Sequence, residues 1–136
     1  MLEIALTIQL LSCAAMTGII WMVQIAIYPL FTRLEGDVFD DYHTRYMNRV
    51  PLVIAPFMLL EATSCAACLY LGDWRDFPFP TILLAIAWAS TALIQVPQHA
   101  KLTPAKVPAI VKTNWIRTIA WTTRLIILAI LHSSSS

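Results

Sequence analysis

Residues 51–71 read PLVIAPFMLLEATSCAACLYL, twenty-one positions with a single charge, Glu61. About 20 such residues in a helix cross a hydrocarbon core of about 30 Å. Three further runs have the same character: about 4–30, closing on Tyr28-Pro29; 80–97, closing on Gln95-Val96-Pro97; and about 114–131. Runs of this length in lipid must satisfy their own backbone hydrogen bonds, so they read as helices rather than barrel strands. The expectation is an all-α, integral membrane four-helix bundle in a single domain, 1–132. Pro29, Pro51, Pro78, Pro80 and Pro97 are read as marking helix edges. Ser133 to Ser136 is read as a disordered tail, and Met1 to Leu11 lacks the basic region of a signal peptide.

Composition agrees. The 136 residues are 59% hydrophobic and 12% charged, against about a quarter charged in a soluble domain. The net charge of +1 carries no basic excess for a nucleic acid. The placement of the charges is more informative. Loop one, 31–50, holds Arg33, Arg45 and Arg49; loop three, 98–113, holds Lys101, Lys106 and Lys112; the opposite side has only Arg75. By the positive-inside rule loops one and three face the cytoplasm and both termini lie outside. Trp74, Phe77 and Phe79 are expected in the outer interfacial belt.

Loop one has a pattern of its own. Phe39, Tyr42, His43, Tyr46, Met47 and Val50 recur on one helical face, with Asp40, Asp41, Thr44, Arg45, Asn48 and Arg49 filling the other. This predicts an amphipathic helix over about 38–50, capped by Asp37, lying on the inner membrane surface between helices one and two. Asp41 and Arg45 are spaced for an i,i+4 pair.

Charges inside a membrane are expensive, about 2.5–3.5 kcal/mol each on insertion scales. Glu61 and Arg124 both fall near mid-depth, and the cheapest arrangement sets one against the other inside the bundle. Asn114, Arg117, Trp121 and Arg124 share one face of the fourth segment; Thr17, Trp21, Gln24 and Tyr28 share one face of the first; Gln95 and His99 end the third. Together they predict a polar, aromatic-walled cavity open to the cytoplasm. Its ligand-binding candidates are Trp21, Gln24, Tyr28, Gln95, Asn114, Arg117, Trp121 and Arg124. Glu61 and His43 are the candidates to move a proton, and His43 with His99 the candidates to hold a metal or haem iron. The arginines would take an anionic or carbonyl group, and Trp21, Trp121 and Tyr28 would stack on a ring. Cys65-Ala66-Ala67-Cys68 has the form of a redox pair, and equally of a small-residue surface for close helix packing.

Tyr28-Pro29, Tyr42-His43, Met58-Leu59-Leu60-Glu61, Gln95-Val96-Pro97-Gln98-His99 and Asn114-Trp115-Ile116-Arg117-Thr118, followed by Trp121 and Arg124, resemble a group of small bacterial membrane proteins over nearly the whole chain. More remotely the pattern is similar to the anthrone oxygenase-like membrane family, whose characterised members oxidise polycyclic anthrones to quinones with oxygen. Gln98-His99 stands where that family tends to carry an Asn. The resemblance implies four helices and a multi-pass protein of a bacterial inner membrane.

Three functions are open to these residues. The first is binding of a small aromatic or anionic molecule in the inner cavity, with an oxygenase-like oxidation of it as an extension. The second is a non-catalytic accessory role beside other membrane subunits or further copies of the chain. The third is a proton or solute pathway through Glu61 and Arg124.

Overall fold

The computed structural model describes residues 1–72 and 77–135, and every element among them is helical. Four long helices follow in order: α1 (Leu2–Phe31), α2 (Gly36–Leu71), α3 (Pro78–Ala100) and α4 (Val107–Ser135). A single 3₁₀ turn, Pro104–Lys106, leads into α4. α1, α2 and α3 are each long and apolar enough to cross a membrane. α4 is as long as they are, at 29 residues, but spends part of its length on Asn114, Arg117 and Arg124.

Pro78 and Pro80 fall in the first turn of α3, as the sequence reading has them, but Pro29, Pro51 and Pro97 do not mark helix ends. Pro51 and Pro56 lie inside α2, and Pro29 and Pro97 lie inside α1 and α3. A proline ring collides with the carbonyl four residues back and offers it no N–H. For Pro29 and Pro97 those carbonyls belong to Ile25 and Leu93. Both sit in a wide π turn, Val23–Ile27 in α1 and Thr91–Gln95 in α3, which lets the helix continue past the ring. The amphipathic stretch 38–50 is helical as expected, but Pro51 does not separate it from the apolar run. The two form one 36-residue helix. That helix starts at Gly36, whose φ of +56° favours glycine, and Asp37 lies inside the first turn rather than capping it. The Asp41–Arg45 pair forms at 2.9 Å on the exposed face. At the other end, α4 runs through Ser135, with the Ser133 and Ser134 hydroxyls donating back to the Ala129 and Ile130 carbonyls, where the sequence reading has a disordered tail.

α1 packs against both α2 and α4, and α4 packs against α3, while α2 and α3 scarcely meet. The core is stacked in three tiers. One end holds Ala5, Leu6, Cys68 and Phe77, the middle Met16, Ile20, Met58, Trp121 and Leu128, and the other end Val23, Tyr28, Phe31, Phe39 and Ile110. Phe77 is thus an inward packing residue; Phe79 is exposed, and Trp74 and Arg75 lie outside the described residues. Polarity is arranged inside out. Gln9, Gln24, Glu61, Gln95, Asn114, Arg117 and Arg124 are buried, while Leu11, Ile25, Leu52, Leu59, Leu93, Ile119, Ile126 and Ile130 are exposed. Thr17, Ser64, Thr81, Thr91 and Thr118 return their hydroxyl hydrogens to carbonyls four residues back, so these five add no unmet donor.

Candidate functional site

α4 presents Asn114, Arg117, Trp121 and Arg124 to the interior, as the spacing predicts, but the two arginines enter different surroundings. Arg124 is fully buried against Glu61, its Nη1 donating to the carboxylate in an ion pair. Trp121 donates its indole N–H to the second carboxylate oxygen at 2.9 Å, and Arg124 Nε donates to the Pro80 carbonyl at 3.0 Å. The expected approach of Glu61 and Arg124 is therefore present. It closes the middle of the bundle rather than flooring a cavity, since neither residue lines the hollow beside Arg117.

Arg117 lies two turns along the same face and is 7% exposed. Its partners are all neutral. Nε donates to Asn114 Oδ1 at 2.9 Å, and Nη2 reaches Gln95 Oε1 at 3.3 Å and the Tyr28 hydroxyl at 3.4 Å, with Asn114 Oδ1 again close by. Nη1 faces the Thr91 hydroxyl at 3.4 Å. Among the described residues no carboxylate pairs with it. Asn114 is held in turn by Gln24, whose Oε1 accepts from Asn114 Nδ2 at 2.7 Å and whose Nε2 donates to the Val111 carbonyl at 3.2 Å. Gln95 is fixed by donating to Thr113 Oγ1 at 2.9 Å. Gln24 and Gln95 sit in the two wide turns, so the prolines that follow help aim both amides inward.

Tyr28 links this cluster to the two histidines. Its hydroxyl lies 3.0 Å from His99 Nε2 and 3.3 Å from Gln95 Oε1, and His99 Nδ1 lies 3.3 Å from His43 Nε2. The imidazoles stack nearly parallel, with Phe39 on the outer face of His43 and Tyr46 on His99. An unbroken line of hydrogen-bonding groups thus runs from part-buried His43 to the buried guanidinium. The rings of His43 and His99 meet, as a shared ligand would require. Yet no group of three or more His, Cys, Asp or Glu side chains that could hold a metal occurs among the described residues.

A cavity of about 200 Å³ lies beside Arg117. Tyr28, Thr91, Gln95, His99 and Arg117 form its polar wall. Met47, Val50, Ile54, Ala55 and Met58 of α2 form the apolar wall opposite. Of the ligand candidates, Tyr28, Gln95 and Arg117 line it, and Gln24 and Asn114 stand behind Arg117. Trp21 does not take part: it is 38% exposed, on the outer surface, packed edge-on against Trp115 and donating to Thr122 Oγ1. Trp121 belongs to the Glu61 pair. The α2 wall is absent from the sequence candidates because Met47 and Val50 read as the apolar face of a surface helix, although the continuation of that face across Pro51 is a usable signal. Cys13, Cys65 and Cys68 are buried free thiols. Compared with known proteins, the chain matches no family model, no curated protein and no solved structure.

Proposed function

We propose that the chain is an integral protein of a bacterial inner membrane that binds a small amphipathic anion in the cavity beside Arg117. Its four helices cross the bilayer, both termini lie outside, and the first third of α2 rests at the inner surface. The exposed aliphatic side chains on the helices support insertion, because a soluble monomer rarely shows contiguous apolar surface on this scale. α4 crosses as the fourth member because its polar groups face its neighbours rather than lipid. The Lys and Arg distribution supports the orientation, and a reporter fused after His132 that works only on the outer side is its test.

The observation that carries the binding reading is Arg117 itself. A buried ion costs several kcal/mol after relaxation. Hydrogen bonds to a charged group return about 1.5–3 kcal/mol each, and several of those here are long. An anion in the cavity supplies the missing charge, while the facing wall of Met and branched side chains accepts an apolar or aromatic body. At about 200 Å³ the space suits a smaller ligand than the roughly 300–1,000 Å³ of drug-sized sites.

Calorimetric titration of the protein in phosphatidylcholine nanodiscs tests this with 2-naphthoate and its neutral isostere 2-naphthamide. The carboxylate should bind at least tenfold more tightly, and Arg117→Gln should remove the difference. Equal binding of acid and amide to the unaltered protein refutes the reading.

A further inference from the structure

The seam between α2 and α3 is loosely packed, because each packs on α1 or α4 and scarcely on the other, though Cys65 Sγ and Thr81 Oγ1 meet across it at 3.5 Å. Two hollows lie along it. The inner one is the cavity beside Arg117. The outer one, about 300 Å³, is bounded by Ala62, Ala66 and Leu69 of α2 and by Leu84, Ala85 and Trp88 of α3. Met58 and Ala62 are one turn apart on α2, and Thr91 and Trp88 are one turn apart on α3, so the hollows abut end to end. From Ala55 to Leu69 the seam runs about 21 Å at 1.5 Å per residue. The charged end is the inner one, and no charged side chain bounds the outer hollow. At the mouth, Pro51, Ala55 and Val96 are exposed on the flank of the bundle, where lipid would lie.

We infer that the bound molecule is a single-chain anionic amphiphile drawn from the membrane, its head at Arg117 and its chain lying outward along the α2–α3 seam. This rests on the reading of Arg117 as an anion site and names the class of molecule it takes. The hollow's shape and its charge agree. Arg117, which no carboxylate among the described residues pairs with, stands at one end of a long, narrow, otherwise uncharged groove lined by apolar residues. A transmembrane helix covering the seam would fill the groove but leave Arg117 unneutralised, unless it carried a carboxylate to that depth. Lipid tails are as apolar as the groove, so the chain gains little by moving into it. The head therefore sets the affinity, and the groove sets which chains fit. With loop three inside, the amphiphile keeps the orientation of an inner-leaflet lipid.

The experiment uses the full chain in phosphatidylcholine nanodiscs with a palmitate bearing a diazirine near the end of its chain. After irradiation, mass spectrometry should find the label concentrated within 62–69 and 84–88. Excess palmitate should suppress it at least tenfold, and hexadecanol should not. Ala66→Trp, a change at an exposed position on the groove, should remove the label while leaving 2-naphthoate binding intact. Label spread over the outward Tyr70, Leu93 and Ile126, or seam label displaced equally by hexadecanol, overturns the inference. If the label spreads while 2-naphthoate still binds through Arg117, the chain assignment fails and the anion site stands. If neither ligand binds, both fail. Seam label lost on adding a second helix rather than a fatty acid would assign the seam to subunit contact and also overturn it.

Discussion

Arg117 and Arg124 are the same residue type on the same face of one helix, two turns apart, and the bundle treats them in opposite ways. Arg124 meets a carboxylate, an indole N–H closes the other carboxylate oxygen, and the pair is fully buried. Arg117 meets two amides, a phenol and a hydroxyl, and stands on a cavity wall. A charge inside a bundle is thus explained by its compensation and not by its presence. Where the compensation is internal the charge holds helices together, and where it is missing the charge is available to something else.

The largest effect should come from unbalancing the internal pair. Glu61→Gln or Arg124→Gln alone should cost about 3–5 kcal/mol, because each leaves a lone buried charge or its orphaned partner. The double change should recover most of that in a thermal double-mutant cycle in detergent. Additive losses would put the two arginines in the same class and end the contrast. Arg117→Met should behave in the opposite sense, with stability unchanged or raised, since it removes an uncompensated charge, while 2-naphthoate binding is lost. A loss comparable to that of Arg124→Gln would show that the neutral partners compensate Arg117 fully. The smallest effect is expected at Tyr28→Phe, which removes a shared hydroxyl but keeps the ring. About 1 kcal/mol is the expected cost, read as a shift in thermal midpoint, with a weaker preference for naphthoate over naphthamide.

Much of this was legible in the residues. The four segments follow from run length, and the Glu61–Arg124 pair follows from the cost of either group alone at that depth. The Arg117 cluster is legible as a set of faces: the spacing within each segment turns Gln24, Tyr28, Gln95, Asn114 and Arg117 to one interior. Trp21 failed because it lies about 40° around the helix from Thr17, enough to move it from the edge of the buried face onto the surface. The boundary between 38–50 and the apolar run is not where the sequence puts it, because proline reads as a stop and α2 passes through Pro51. The polar wall of the cavity is legible in the sequence, but its place against α2 is not. That depends on how loosely α2 and α3 pack, which no spacing within one helix encodes.

The two wide turns carry a consequence for how this chain can vary. A π turn is an α-helix with one residue too many, so each helix holds a removable unit just before Pro29 and Pro97. Deleting one residue there would leave an ordinary helix of nearly the same length. The flanks would keep their facing, because the wide turn already absorbs the extra residue, so Tyr28 and His99 would stay where they are. Gln24 and Gln95, which sit within the two turns, would lose the position that aims their amides inward. Each wide turn is therefore a place where the helix tolerates a lost residue and the hydrogen bonding around Arg117 does not.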